Sequence, residues 1–262
     1  MKDSLNRLGW ALVVSVLFWG CSGEKQDSSA DPSPSPSSKA AIEKPTGYQA
    51  VPVSEGGTIA GKVVYNGPRK VVPIMVSKDQ EACGQSQPDP SLVVSADGGV
   101  EGAVVRITDI QSGKSMETVT PVLDQRGCRY LPHVLAFPVG STLEILNSDN
   151  VLHNVHSYSQ KNSPFNRAQP KYRKKITETF NKPELISLKC DVHSWMAAWL
   201  VVSEHPYYSV TKGNGGFQIT HVPPGNYHLE VWHETLGKQT QKVSVSPNGN
   251  SQVDFEYTTE VR

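Results

Sequence analysis

In the stretch "CDVHSWM", Cys190, His193 and Met196 stand three residues apart from one another. Upstream, "NSDNVLHNVHSYS" adds two imidazoles, His153 and His156. A thiolate, two imidazoles and a weak axial thioether form the donor set of a type 1 blue copper centre. Thiolate and imidazole suit copper in both oxidation states, and a long methionine bond tunes the potential. Residues three apart in an extended strand face opposite sides of the sheet. His153 and His156 therefore cannot both reach one ion. His153 is the expected ligand, and His156 is left at the surface or behind the site. Zinc would accept Cys190, His193, His153 and His156, but structural zinc sites usually bring more thiolates. A binuclear copper centre needs a second loop cysteine, and none lies between positions 128 and 190. The Cys-x-x-Cys-His of haem attachment is absent.

The start of the chain says where such chemistry would occur. Lys2 and Arg7 precede the apolar run "LGWALVVSVLFWG", which ends just before Cys21. About thirteen apolar residues fall short of the roughly 20 that a membrane helix needs. A short apolar core behind a basic start reads as an export signal over residues 1–20. Cys21 directly after Gly20 resembles a bacterial lipobox. That resemblance implies lipidation of Cys21 and a place in the bacterial cell envelope, facing the periplasm or the cell surface. Residues 21–55 are dominated by Pro, Ser and charge. Such a segment cannot bury enough surface to offset its ordering entropy, so a disordered tether is expected.

Export makes a single thiol conspicuous. The cysteines are Cys21, Cys83, Cys128 and Cys190. In an oxidising compartment thiols tend to pair. With Cys21 taken by lipid, Cys83 in "EACGQ" and Cys128 in "DQRGCRY" are the expected disulfide, both in turn-rich surroundings. Cys190 is left over. Metal ligation would give its thiolate a role; the plain alternative is an inert buried side chain.

The body that must position these residues reads as strands. "TIAGKVVY", "GAVVRITDI", "STLEILNSD", "KKITETF", "LISLKC", "AWLVVSE", "GFQIT", "YHLEVWHE", "QKVSVS" and "QVDFEY" are short and rich in Val, Ile, Thr and aromatics. Gly, Pro, Asn and Asp punctuate them. Short strands at this spacing predict an all-β chain built of antiparallel sandwiches or barrels.

"LHNVH" followed by "CDVHSWM" resembles the cupredoxin family. Cys-x2-His-x2-Met is similar to the short ligand loop of its amicyanin-like members. The resemblance covers about residues 135–204 and implies a Greek-key sandwich holding one type 1 copper on His153, Cys190, His193 and Met196. It implies that Asn154 ties the two ligand loops together. It also implies an exposed His193 imidazole as the electron port, with Trp195 in an apolar collar where a partner docks. The segment "VTKGNGGFQITHVPPGNYHLEVWHETLGKQTQKVSV" resembles the carboxypeptidase regulatory-like domain, a small prealbumin-type sandwich grouped with carbohydrate-binding-like folds. "GGTIAGKVVYNGP", residues 56–68, resembles the opening strand of that same family. The expected organisation is a copper domain over 56–204 and a second sandwich over 205–262. Residues 56–68 are a candidate strand of the C-terminal module, so the two are either interleaved or consecutive.

Charge excludes one class of partner and suggests another. The chain carries 25 basic and 25 acidic residues, so nothing marks a nucleic-acid surface. Locally, "KNSPFNRAQPKYRKK" is basic, with Lys171, Arg173, Lys174 and Lys175. It is either a solvated loop or a docking patch for an acidic partner. His133, in "CRYLPHVLAF", is either a partly buried strand residue or an extra ligand. With four protein ligands no position stays open for substrate, so no enzyme is expected. The expected function is a membrane-anchored one-electron carrier with a redox protein partner. The alternative is a surface module binding glycan or protein, or a protein that stores or delivers copper. No motif supports glycan binding.

Overall fold

The computed structural model describes residues 47–69 and 73–259. The expected signal over 1–20, lipidation at Cys21 and the tether as far as residue 46 lie outside the described residues. The last part of the expected tether is structured. Gln49–Ala50 pairs in parallel with Ser112–Gly113. Tyr48 packs against a hydrophobic core, and its hydroxyl donates to the Lys114 carbonyl at 2.7 Å. One aromatic ring in a polar segment is enough to dock it, so the folded body starts before Gly56. Among the described residues no helix is long and apolar enough to cross a membrane.

The chain is all-β. Among the described residues the only helix is the four-residue turn Gln80–Cys83. Two sheets face each other across one core. The first runs Lys175–Thr179, Thr142–Asn147, Val122–Gln125 and Tyr130–Leu131. The second runs Asn166–Gln169, His153–Ser157, Glu184–Lys189, Ala197–Ser203 and Val134–Pro138. Alternation explains their two-faced character. In "TLEILN", Leu143 and Ile145 are fully buried while the residues between them are half-exposed. Phe137, Phe180, Ile186, Leu188 and Leu200 fill the space between the sheets. Burying each such side chain contributes roughly 1.5–3 kcal/mol.

A second sandwich draws its strands from distant parts of the chain. Gly57–Tyr65 pairs antiparallel with Gly216–Val222, joining Ile59 to Ile219, and pairs in parallel with Asn250–Gln252 and Phe255–Tyr257. The facing sheet runs Tyr208–Val210, Val104–Ile107, Gly225–His233 and Gly237–Val245. Ile59, Val63, Val105, Ile107, Leu229 and Phe255 lie in the shared core. The expected 56–204 domain is therefore not one sandwich. Both Gly57–Tyr65 and Val104–Ile107 bury their apolar faces with the C-terminal strands, and the first sandwich is built from Val122 to Ser203. The basic segment holds a strand too: Asn166–Gln169 pairs antiparallel with His153–Ser157.

The sandwiches meet at a small apolar cluster of Val104, Val134 and Val201, with Trp199 and Trp232 packed against it. The two indoles stand edge to face, 5.2 Å apart. Trp199 Nε1 donates to Glu234 Oε2 at 2.8 Å.

One close approach inside the second sandwich can be tested directly. A Cβ built on Gly61 would lie 1.8 Å from the Val253 carbonyl oxygen. That neighbour is backbone and cannot rotate away. Gly61→Ala should destabilise the protein by about 1–3 kcal/mol, read as a lower midpoint in thermal unfolding; an unchanged midpoint would mean the two strands do not approach this closely.

Candidate metal centre

The ligand loop grows out of a hairpin. Glu184–Lys189 and Ala197–Ser203 pair antiparallel, with Lys189 opposite Ala197. Cys190 leaves the first strand and Met196 enters the second, so both sit at one end of the sheet. The Cys190 N–H donates to the Met196 carbonyl at 3.1 Å, and the Met196 N–H to the His193 carbonyl at 2.9 Å. His153 opens the neighbouring strand, whose His156 pairs opposite Lys189. The register thus brings His153 beside the loop.

Three donors converge there. His153 Nδ1 and His193 Nδ1 are 2.9 Å apart. Cys190 Sγ is 3.9 Å from His193 Nδ1. Ligand atoms of all three residues lie within 4.8 Å of one another. His153 and His193 are 0 % exposed and Cys190 is 2 % exposed. Met196 is buried in the same cluster. Cys190 is the free cysteine among the described residues, while Cys83 and Cys128 are joined. A second grouping, Cys128 with Asp149 and His153, has no free thiol because Cys128 is in the disulfide.

Carboxylates hold the far side of each ring. His153 Nε2 lies 2.9 Å from Asp149 Oδ2, and His193 Nε2 lies 2.9 Å from Asp79 Oδ2. A ligating histidine characteristically donates its other N–H to a carboxylate, which presents the remaining nitrogen to the metal. Here both Nε2 atoms face carboxylates and both Nδ1 atoms face each other. At this distance a single proton can bridge the two Nδ1 atoms, and an ion that takes the proton's place would find both lone pairs aimed at it. For metal–nitrogen bonds of about 2.0 Å and metal–sulfur bonds of about 2.3 Å, donors roughly 3–4 Å apart can serve one ion. The donor set therefore fits a single thiolate-binding metal.

Electrostatics agree. Burial works to raise the Cys190 thiol pKa, but hydrogen bonds from His153 and from the backbone N–H groups of Asn154, His193 and Val192 bring it below its ordinary value. Burial works to lower the His153 pKa, and the bonds to Asp149 and Cys190 outweigh it, so that pKa rises. His193 is pushed down, first by burial and then by His153, against the pull of Asp79.

Asn154 joins the two ligand segments. Its Oδ1 accepts the N–H of Asp191 at 2.6 Å and that of Val192 at 3.3 Å. Its Nδ2 donates to Asn166 Oδ1 and Asp191 Oδ2. His156 turns to the other face, where Nδ1 meets Asp191 Oδ1 at 3.1 Å and the ring stacks on Tyr158. His133 also stands apart: Nδ1 contacts the Ala197 carbonyl at 2.9 Å and Nε2 meets Glu234.

Two expectations are corrected. His193 is not an exposed port: it is fully buried, and Asp79 Oδ2 occupies its outer nitrogen. Trp195 is not a docking collar. It is 8 % exposed, its Nε1 donates to the Cys128 carbonyl at 3.1 Å, and its ring packs 5.0 Å from that of His193. The indole N–H found a buried acceptor, which turned the ring inward. Lys171, Arg173, Lys174 and Lys175 are exposed. Lys174 Nζ reaches the Asp149 carbonyl at 3.2 Å, and Lys175 pairs with Glu144 at 2.8 Å. Asp79 and Asp149 were missed by sequence reasoning. Asp149 had one signal, its place four residues before His153; Asp79 had none.

The comparisons with known proteins are partial. A family model described as polysaccharide lyase family 4, domain II, matches residues 181–253. The match runs from the Glu184–Lys189 hairpin into the second sandwich, where the turn motifs had suggested a carboxypeptidase regulatory-like domain. No curated protein matches. Similar solved structures include a copper-containing nitrite reductase from Thermus scotoductus, 23% identical over 38% of this chain and 26% of that one, TM-score 0.31. This chain thus spans about a quarter of that reductase. A purple cupredoxin from Nitrosopumilus maritimus is 22% identical over 32% of this chain and 99% of that one, TM-score 0.28. A mutant of amicyanin in its oxidised state is 23% identical over 32% of this chain and 82% of that one, TM-score 0.30. These overlaps are local, and the site's own geometry carries the functional reading.

Asn154 gives that geometry a test. Asn154→Ala leaves the Asp191 and Val192 N–H groups without an acceptor, at a cost of about 1–3 kcal/mol. Thermal unfolding of the metal-free protein should show the loss, and wild-type stability would remove Asn154 as the tie.

Proposed function

We propose that this chain is an exported, lipid-anchored type 1 copper protein that passes single electrons and is not an enzyme. The observation that carries the reading is the convergence of His153 Nδ1, His193 Nδ1 and the Cys190 thiolate, with both Nε2 atoms turned outward to carboxylates. His153, Cys190, His193 and Met196 are the residues that would hold the ion. Copper bound there would supply a one-electron couple. The chain's part is to fix the donors and exclude water. The hairpin closes the loop, Asn154 ties it to the His153 strand, and Trp195 and Asp79 cover His193. A site whose positions are all filled by buried side chains leaves no place for a substrate.

A redox protein with an acidic face fits the exposed Lys171, Arg173, Lys174 and Lys175. Lys174 contacts Asp149, whose carboxylate holds His153, so this patch lies close to the site. Storage or delivery of copper would need a site that opens readily, and donors at 0–2 % exposure argue against it. A binding role has one foothold, a cleft of about 360 Å³ lined by Arg106, Tyr208, Glu230 and Trp232.

An absorption spectrum of the copper-loaded full chain is the direct test. The wild type should show an intense visible thiolate-to-copper band, and Cys190→Ala should abolish it. Cu(II) bound without that band would rule out a type 1 site.

A further inference from the structure

We infer that Asp79 and Asp149 are the positioning residues of this centre and that the Cys83–Cys128 disulfide is the common anchor from which both hang. The inference rests on the metal reading of the site and adds what keeps that site closed.

Each half of the disulfide holds one of the two aspartates, Cys128 through the Asp149 carboxylate and Cys83 through the Asp79 backbone carbonyl. On one side, the Cys128 N–H donates to Asp149 Oδ2 and the Gly127 N–H to Asp149 Oδ1, both at 2.8 Å. Asp149 in turn faces His153 Nε2. On the other side, the Cys83 N–H donates to the Asp79 carbonyl at 2.9 Å, as does the Ala82 N–H. Asp79 faces His193 Nε2. Cys128 adds a third hold, since its carbonyl accepts the indole N–H of Trp195 beside the His193 ring.

Both imidazoles are fully buried, so the carboxylates take the place that water would fill at Nε2. Such partners fix the ring's tautomer and orientation. Asp149 sits on the main body of the first sandwich. Asp79 does not. Its segment pairs only within itself, Ile74–Met75 against Ser86–Gln87, and that pair joins neither large sheet. Residues 77–82 are exposed; among the described residues of the strap, Val76 and Cys83 are buried in the core and Ile74 packs against it. The disulfide, four residues from Asp79, is the covalent link in this light anchorage and helps to keep Asp79 over His193. Breaking it would free the strap, uncover the outer edge of His193 and loosen its orientation, while leaving the four donors in the chain.

The test uses the full chain as wild type, Asp79→Ala, Asp79→Asn and the paired variant Cys83→Ser with Cys128→Ser. In the metal-free wild type, nitrogen-15 correlation spectra should find the His193 proton on Nε2, and in Asp79→Ala it should be shared between the ring nitrogens. This readout needs no copper. Competition with a Cu(I) chelator should show affinity falling about 10–100-fold in Asp79→Ala, largely restored in Asp79→Asn, which keeps an acceptor. The paired serine variant should lose at least as much, and adding Asp79→Ala to it should cost little more, as expected for members of one network. Wild-type affinity and spectra in Asp79→Ala, or strictly additive losses, would overturn the inference. Should the paired serine variant fail to fold by circular dichroism, the Asp79→Ala and Asp79→Asn comparison at this exposed residue decides. A His193 proton on Nε2 with no visible band after copper loading would keep the clamp and sink the copper reading; the band with the proton on Nδ1 would do the reverse.

Discussion

Two imidazole nitrogens face each other 2.9 Å apart in a place water does not reach. Two such lone pairs can face each other only with a proton or a metal ion between them. The surrounding structure answers that demand. The thiol beside them is drawn toward its anionic form, and each ring is braced from behind by a carboxylate. Neutral or hydrocarbon surroundings could not hold the arrangement, because a buried charge must be paired and hydrogen-bonded.

Holding it also takes a stiff frame. The donors lie at one end of a sheet whose strands are buried on their inner face, and the loop between Cys190 and Met196 is closed by backbone bonds at both ends. The frame continues past the site. Ala197, next to Met196, offers its carbonyl to His133, and His133 reaches Glu234, which also accepts from Trp199. A short polar chain therefore runs from the ligand loop to the second sandwich, alongside the contact of Trp199 with Trp232. The second sandwich is coupled to the site by these groups and not merely appended to it.

Local patterns made much of this legible. The period-two alternation in "TLEILN" and "TIAGKVVY" marked strands, and the spacing of Cys190, His193 and Met196 placed three donors on one loop. The geometry of an extended chain allowed one of His153 and His156 to face an ion, and the resemblance of "LHNVH" to a cupredoxin ligand strand pointed to His153. What stayed hidden depends on distant parts of the chain. Nothing in "GAVVRITDI" says that it packs with Gly225–His233 instead of the nearer strands. Trp195 in sequence fits a surface collar as well as a core, and the Cys128 carbonyl decides between them. Asp79 lies in "SKDQ", a stretch with no motif, and gains its place through a disulfide. Tyr48, alone in a Pro- and Ser-rich region, was outvoted by its neighbours' composition.

The strand Gly57–Tyr65 has a consequence for the order of assembly. It is made early and bridges Gly98–Val100 nearby, but its strand partners are Gly216–Val222, Asn250–Gln252 and Phe255–Tyr257. The first sandwich, from Val122 to Ser203, can close on its own strands as the chain emerges. The second must hold a largely unpaired, apolar strand until those later strands arrive. Pairing across such a separation is slow and leaves an open edge exposed meanwhile. The half that carries His153, Cys190 and His193 is thus the natural first unit to fold, with the half that flanks it sealed last.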